Sequence, residues 1–449
     1  MKTLTALAVL AAVGGASVCA AGDGKHELEL TPLPGLSGST TWALAPRMIN
    51  ANGDLAGQAS VGQYHAARWT KGGGIEDLHP APNLLVSWAK AINDSGVVIG
   101  DACLPPPGGN GPCGMYFFRN TPGVGSEQLH FEQSGVTHTT SIYPMFVASD
   151  GGIAMSPRRD VMQGGGEHVV YYRDDVGWMD LSSIVSNDLP RRARLIDMNR
   201  AGQVLMSRSW EGNVVRWSLD GGAEVILDGT TVFATDMNDS GQFTGVAIFA
   251  SGSGAFMYDD AGGLVQLDPE GAFPDSQGVA ISNSGVVAGL YSDGAFVYTP
   301  GEGIRDIGVD RFTLISGLNV QGDLLLKEHN PQTYEVTVKL MMAGGEPVSV
   351  QELIDPAQSF IIVSDVSDLN DSREFAVLGA DPTGQNPVAF LAKIRCKADY
   401  DGDGVATVSD IFAFLSEWFA GQDRANVNRD GSLNVADIFE FLSVWFAGC

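Results

Sequence analysis

The sequence predicts a mainly β protein that ends in a small helical module. Three observations carry this expectation. A short polar turn recurs along most of the chain. The residues around each turn read as four short strands. The C-terminal stretch writes an acidic loop and an apolar helix twice.

The 449 residues leave room for one large ring-like domain and one small one. Abundant glycine (57 residues) and only 18 % charged residues favour turns and close-packed sheet over long charged helices. A formal net charge of −27 argues against nucleic acid or an anionic membrane surface as a partner. The start, "MKTLTALAVLAAVGGASVCAAG", has one Lys, an Ala-rich apolar run and small residues at Ala20 and Ala21. This is the pattern of a secretory signal peptide over 1–21, with a run too short to span a bilayer. Val18 ahead of Cys19 argues against lipidation there, and no other stretch reads as transmembrane. The expected location is therefore secreted or cell-surface associated. Cleavage leaves Cys103, Cys113, Cys396 and Cys449. An even number in an exported chain reads as disulfides, with Cys103–Cys113 and Cys396–Cys449 as the expected pairs.

The stretch "AINDSGVVIG" (Ala91 to Gly100) returns in altered form along the chain. Its turn begins at Asn50, Asn93, Ser149, Asn199, Asn238, Ser282, Asn319 and Asn370, spaced by 37 to 56 residues. An apolar strand enters each turn and a second leaves it. Glycine at the fourth turn position supplies the positive φ of a tight hairpin, except that Arg373 stands there in the last unit. A third strand is aromatic-rich, as in "AARW", "VVYY", "VVRW" and "AFVY". A fourth often ends in Leu or Ile, as in "GIEDL" and "GIRDI". The last unit lacks a fourth strand, and "HELELTPLPGL" before the first unit has the missing pattern. Pairing the two would close a ring and remove its edges. Residues 26–394 are thus expected to form a β-propeller of seven or eight blades. The motifs "YHAARW" and "GAFVYTPGEGIRDIG" and the "INDSG"-like turns resemble the bacterial extracellular repeats of the HAF family. That resemblance implies a secreted repeat domain and little else, since such repeats carry no activity to transfer.

Catalytic signatures are missing from the repeats. The seven His residues form no H-E-x-x-H spacing, and there is no G-x-S-x-G elbow, P-loop or dinucleotide fingerprint. Paired carboxylates from distant blades would not show as a motif. The aromatic strands read first as packing between blades and second as a sugar-binding platform. "NDS" at Asn93, Asn238 and Asn370 fits a glycosylation acceptor, yet the turn itself calls for those residues.

Residues 396–449 carry the sharpest signal. "DYDGDGVATVSD" fits the twelve-residue calcium loop. Asp399, Asp401 and Asp403 take positions 1, 3 and 5, Gly404 position 6, the Val405 carbonyl position 7, Thr407 position 9 and Asp410 position 12. "NVNRDGSLNVAD" repeats the frame with Asn426, Asn428, Asp430, Gly431, Ser432, Asn434 and Asp437. Four carboxylates against two predict tighter Ca²⁺ binding in the first loop. Each loop opens a helix, "DIFAFLSEWFAG" or "DIFEFLSVWFAG". Ile411, Leu415 and Trp418, with Phe412 and Phe419 adjoining, form an apolar stripe, and Ile438, Phe439, Leu442, Trp445 and Phe446 repeat it. The two stripes are expected to pack on each other. No entering helix precedes the first loop, where "AFLAKIRCKA" reads as a strand, so these are half EF-hands, loop then helix.

Duplicated loop–helix units with Asp at position 12 and a Gly448–Cys449 ending resemble the GC-type dockerins of bacterial secreted proteins. The resemblance implies calcium-dependent folding and docking onto a cohesin-like or cell-surface receptor. At loop positions 10 and 11, where that family reads its partners, this chain has Val408–Ser409 and Val435–Ala436. The expected function is non-catalytic display of a propeller with a glycan or protein ligand. The alternative is an anchored polysaccharide-active enzyme, a glycoside hydrolase or lyase, with its site in the propeller.

Overall fold

The computed structural model describes residues 25–36, 42–43, 48–105, 114–129, 142–157, 168–185, 193–208, 213–227, 232–354, 362–380 and 387–448. The expected signal peptide lies outside these residues, and so does one partner of each expected disulfide, Cys113 and Cys449. The chain divides into two compact units, one of Leu28–Ile394 and one of Arg395–Cys449 with the N-terminal segment up to Glu27.

The large unit is an eight-bladed β-propeller. Eight four-stranded sheets follow one another, and seven of them are consecutive meanders. In the eighth sheet, strands Ile362–Val366, Glu374–Ala380 and Pro387–Cys396 are completed on the outside by His26–Pro32. The N-terminal strand therefore closes the ring, as the spare fourth-strand pattern predicts. Leu33 continues this closure, its N–H donating to the Ala389 carbonyl (2.9 Å).

The recurring turns form a belt between blades, which explains why the Asn repeats. The Asn50 Oδ1 accepts from the N–H groups of Asn52 (3.0 Å) and Asp54 (2.8 Å), closing its own turn. Its Nδ2 donates to the Asn93 carbonyl of the next blade (3.0 Å). Asn93 reaches Ala148 (2.8 Å), Asn199 reaches Asn238 (3.2 Å) and Asn238 reaches Ser282 (2.9 Å). Asn370 of the last blade donates to the Asn50 carbonyl of the first (3.0 Å). A second hoop runs beside it. Asp94, Asp239, Asn283 and Asp371 each accept from a backbone N–H in the preceding blade, at 2.9 to 3.0 Å. Buried amides that lack such partners would cost free energy, so the belt fixes both turn and ring.

The turn glycine has φ between 76° and 89° in seven blades; in the third blade it is Gly151, whose N–H donates to the Ala148 carbonyl (3.1 Å), so that turn starts at Ala148, one residue before the expected Ser149. In the eighth, Arg373 adopts φ 61°, and its Nε donates to Asp323 Oδ2 of the neighbouring blade (2.8 Å). The glycine that ends "AINDSGVVIG" has another reason. A bulge in the innermost strand pushes a carbonyl against the second strand. A Cβ on Gly100 would lie 2.1 Å from the Trp88 oxygen, and one on Gly289 would lie 2.4 Å from that of Gln277.

The aromatic third strands are core, not platform. Phe118, Phe256 and Phe296 are fully buried, and Trp69, Tyr171 and Trp217 nearly so. The apolar residue ending the fourth strand is buried beside them and hydrogen-bonds back to the third strand, as Leu78 does to Ala66 (2.9 Å). Arginines on third strands reach the next blade: Arg119 pairs with Glu127 and with Asp174 (2.9 Å), and Arg216 with Glu224 and Asp260 (both 3.0 Å).

Candidate functional site

Two regions collect polar groups, the centre of the propeller and the loops of the small unit. The central cavity, about 470 Å³, is lined by inner strands and by the belt turns. Its polar residues include Asp94, Arg200, Asp239, Asn283 and Asp371. Most of these already hold blade to blade, and Arg200 lies between Asp94 (3.5 Å) and Asp239 (3.8 Å). No convergent acid–base pair emerges there among the described residues.

The small unit is built from two loop–helix halves. Helices Val408–Phe419 and Val435–Ala447 each begin with a capping box. Thr407 and Asn434, loop position 9, cap the helices through their side chains. Asp410 and Asp437, loop position 12, are fully buried and reach back across their loops. Asp410 accepts from the N–H groups of Asp401 (2.9 Å) and Thr407 (2.6 Å). Asp437 accepts from those of Asn428 (3.3 Å) and Asn434 (2.8 Å). Burial opposes ionisation of Asp410, but these backbone donors outweigh it and hold the carboxyl below its ordinary range.

The first loop brings Asp399, Asp401 and Asp403 together, with one ligand atom from each within 4.8 Å of the others. Gly402 and Gly404 donate to the two oxygens of Asp399 (2.9 and 3.0 Å). The N–H groups of Asp403 and Val405 donate to Asp401 (3.1 Å) and Asp403 (2.9 Å). Loss of solvation, with the charges of Asp403, Asp410 and Asp399, pushes the Asp401 carboxyl above its ordinary range. A hard cation with oxygen ligands is the chemistry that relieves such crowding. In the second loop, Asp430 and Ser432 donate their N–H groups to Asn428 (3.0 Å) and Asp430 (2.8 Å). Asn434 Nδ2 turns to the Ser432 carbonyl (3.0 Å). Asn426 Oδ1, at position 1, is buried with no hydrogen-bond partner. An orphaned oxygen at that position fits a cation ligand.

The helix packing differs from the expected stripe. Phe414 and Phe441 are the fully buried pair, stacked at 4.3 Å, with the Tyr400 ring edge-on to both. Ile411, Leu415, Trp418, Ile438, Leu442 and Trp445 pack round them, partly buried. Phe412, Phe419, Phe439 and Phe446 point to solvent, at 59 to 78 % exposure. A helix that is apolar on most sides offers several stripes, and spacing alone does not choose between them. The halves are also pinned reciprocally. Trp418 Nε1 donates to the Asn434 carbonyl, and Trp445 Nε1 to that of Thr407, both at 3.0 Å.

No family model matches the sequence, and neither does any curated protein. Comparison with solved structures gives matches at low identity. A virginiamycin B lyase from Staphylococcus aureus is 9 % identical (TM-score 0.39), covering 82 % of this chain and 99 % of its own. The β-propeller domain of the Trilobed protease from Pyrococcus furiosus is 11 % identical (TM-score 0.41), covering 69 % and 97 %. The acylaminoacyl peptidase of Pyrococcus horikoshii is 10 % identical (TM-score 0.42), covering 76 % and 58 %. The class that fold and site define is an eight-bladed propeller with a terminal pair of loop–helix units. Among the described residues, no helix is long and apolar enough to cross a membrane.

Proposed function

We propose that this is an exported, non-catalytic propeller protein, held or targeted through a calcium-dependent, dockerin-like module at residues 396–449. The observation that carries the docking role is a duplicated exposed stripe. Val408, Phe412 and Phe419 on one helix and Val435, Phe439 and Phe446 on the other are all more than half exposed. Neither stripe contributes to the core, so folding does not account for its repetition. Exposed apolar surface of this kind marks a protein partner. The net charge of −6 over residues 396–449 favours a partner with basic residues round an apolar patch, such as a cohesin-like or cell-surface receptor.

Calcium supplies the fold of the loops. Asp399, Asp401, Asp403, the Val405 carbonyl, Thr407 and Asp410 would hold the tighter ion. Asn426, Asn428, Asp430, the Ser432 carbonyl, Asn434 and Asp437 would hold the weaker one. Disulfides Cys103–Cys113 and Cys396–Cys449 and removal of residues 1–21 belong to the same proposal.

Binding of the purified full chain to envelope fractions of the producing cells tests the reading. Retention is expected in calcium, with release by chelator. Phe412→Ser/Phe439→Ser should lose retention while keeping its helical circular dichroism. Retention that ignores both chelator and the double substitution would sink the docking role. Turnover of a glycan by the same protein, lost on substituting Asp239, would favour the enzymatic alternative.

A further inference from the structure

The two calcium-type loops differ at position 4. The first has Gly402 (φ 79°), and the second has Arg429 (φ 55°) in the same left-handed conformation. Glycine takes that conformation freely, whereas an arginine must be held in it. What holds Arg429 comes from the other end of the chain. Its guanidinium donates to Glu27 Oε2 at 3.0 Å, with the side chains only 21 % and 33 % exposed. The segment bearing Glu27 belongs to the same compact unit as the loops. Lys397 donates its N–H to the Lys25 carbonyl (2.8 Å), and Lys25 Nζ reaches the Ala447 carbonyl (3.4 Å).

Charge gives this contact a consequence. The second loop supplies two carboxylates, Asp430 and Asp437, against four in the first. Arg429 places a fixed positive charge inside the poorer loop, and a free guanidinium there would repel a dication. Glu27 offsets that charge and draws the guanidinium onto itself. We propose that Glu27 is a positioning residue for the second calcium site, so that the N-terminal segment is a working part of the metal module. The inference rests on the calcium reading of the loops. It adds a determinant of affinity that lies 402 residues from its partner Arg429.

Calorimetric calcium titration of the full chain tests it. The wild type should show two classes of site. Glu27→Gln should weaken the weaker class by about 10- to 100-fold, the range typical of lost outer-sphere partners, and leave the tighter class unchanged. Adding Arg429→Gly to Glu27→Gln should restore the second class, because the uncompensated charge is gone. The inference fails if Glu27→Gln changes neither class. It fails equally if both classes weaken, or if Arg429→Gly brings no rescue, since Glu27 would then act on folding alone. Absence of saturable binding in the wild type would overturn the calcium reading itself, a result distinct from these.

Discussion

Removing one link of the Asn belt is the most direct test of the fold argument. Asn238 is buried, and its Nδ2 donates to the Ser282 carbonyl (2.9 Å) and Gln242 Oε1 (2.7 Å). Its Oδ1 accepts from the N–H groups of Ser240 and Gln242 (both 3.0 Å). Asn238→Ala leaves the buried Ser282 carbonyl without its donor and strips the turn of its acceptor. With about 1–3 kcal/mol for an unsatisfied buried group and about 1 for the turn bonds, the loss should be about 3 kcal/mol. Asn238→Asp separates the two roles. It keeps the oxygen that closes the turn, but sets a second oxygen against the Ser282 carbonyl. It should still cost about 2 kcal/mol. Urea unfolding of the full chain in saturating calcium, followed by tryptophan fluorescence, measures both. If Asn238→Asp is as stable as the wild type, the belt bond carries no stability. The repeated Asn would then serve its own turn alone.

Two further substitutions probe the propeller. Gly289→Ala forces a Cβ to 2.2 Å from Phe296 Cζ and 2.4 Å from the Gln277 carbonyl, and should destabilise by about 3 kcal/mol; a wild-type urea midpoint would contradict the close approach. Burial pushes the Asp101 carboxyl up from 3.8 to about 6, although Lys90 at 3.4 Å partly opposes this. The folded protein therefore holds that proton more tightly than the unfolded chain. Its contribution is fully present below pH 3.8 and is lost as pH rises through about 6. Stability should thus gain up to about 3 kcal/mol from this group as pH falls across that window. Asp101→Asn should remove the gain, and unfolding free energies with the same pH slope in both proteins would refute the assignment.

Much of the ring was legible because each blade repeats one local solution. Asn, glycine and the alternating apolar strands are all turn or strand requirements, readable within ten residues. The missing fourth strand likewise announced the closure by His26–Pro32. The blade count stayed at seven or eight because Ser149 and Arg373 break the pattern, and only the sheets themselves decide for eight. What the belt bonds to was hidden, since Asn50 and its acceptor Asn93 are 43 residues apart. In the terminal module, spacing located the loop residues but not the core. Phe412 and Phe414 are equally apolar, and the choice between them falls to Tyr400, which packs on Phe414 and Phe441. The indole bonds of Trp418 and Trp445 and the Glu27–Arg429 pair need the third dimension altogether.

The outermost strand of the last blade is the first strand among the described residues, which imposes an order on assembly. His26–Pro32 has no sheet to join until Pro387–Cys396 has been made and delivered. A molecule truncated anywhere in the later blades keeps an orphan N-terminal strand and a raw β edge, the arrangement most open to aggregation. The ring can therefore lock only after Pro387–Cys396 has been made, and a shorter product keeps an unpaired strand.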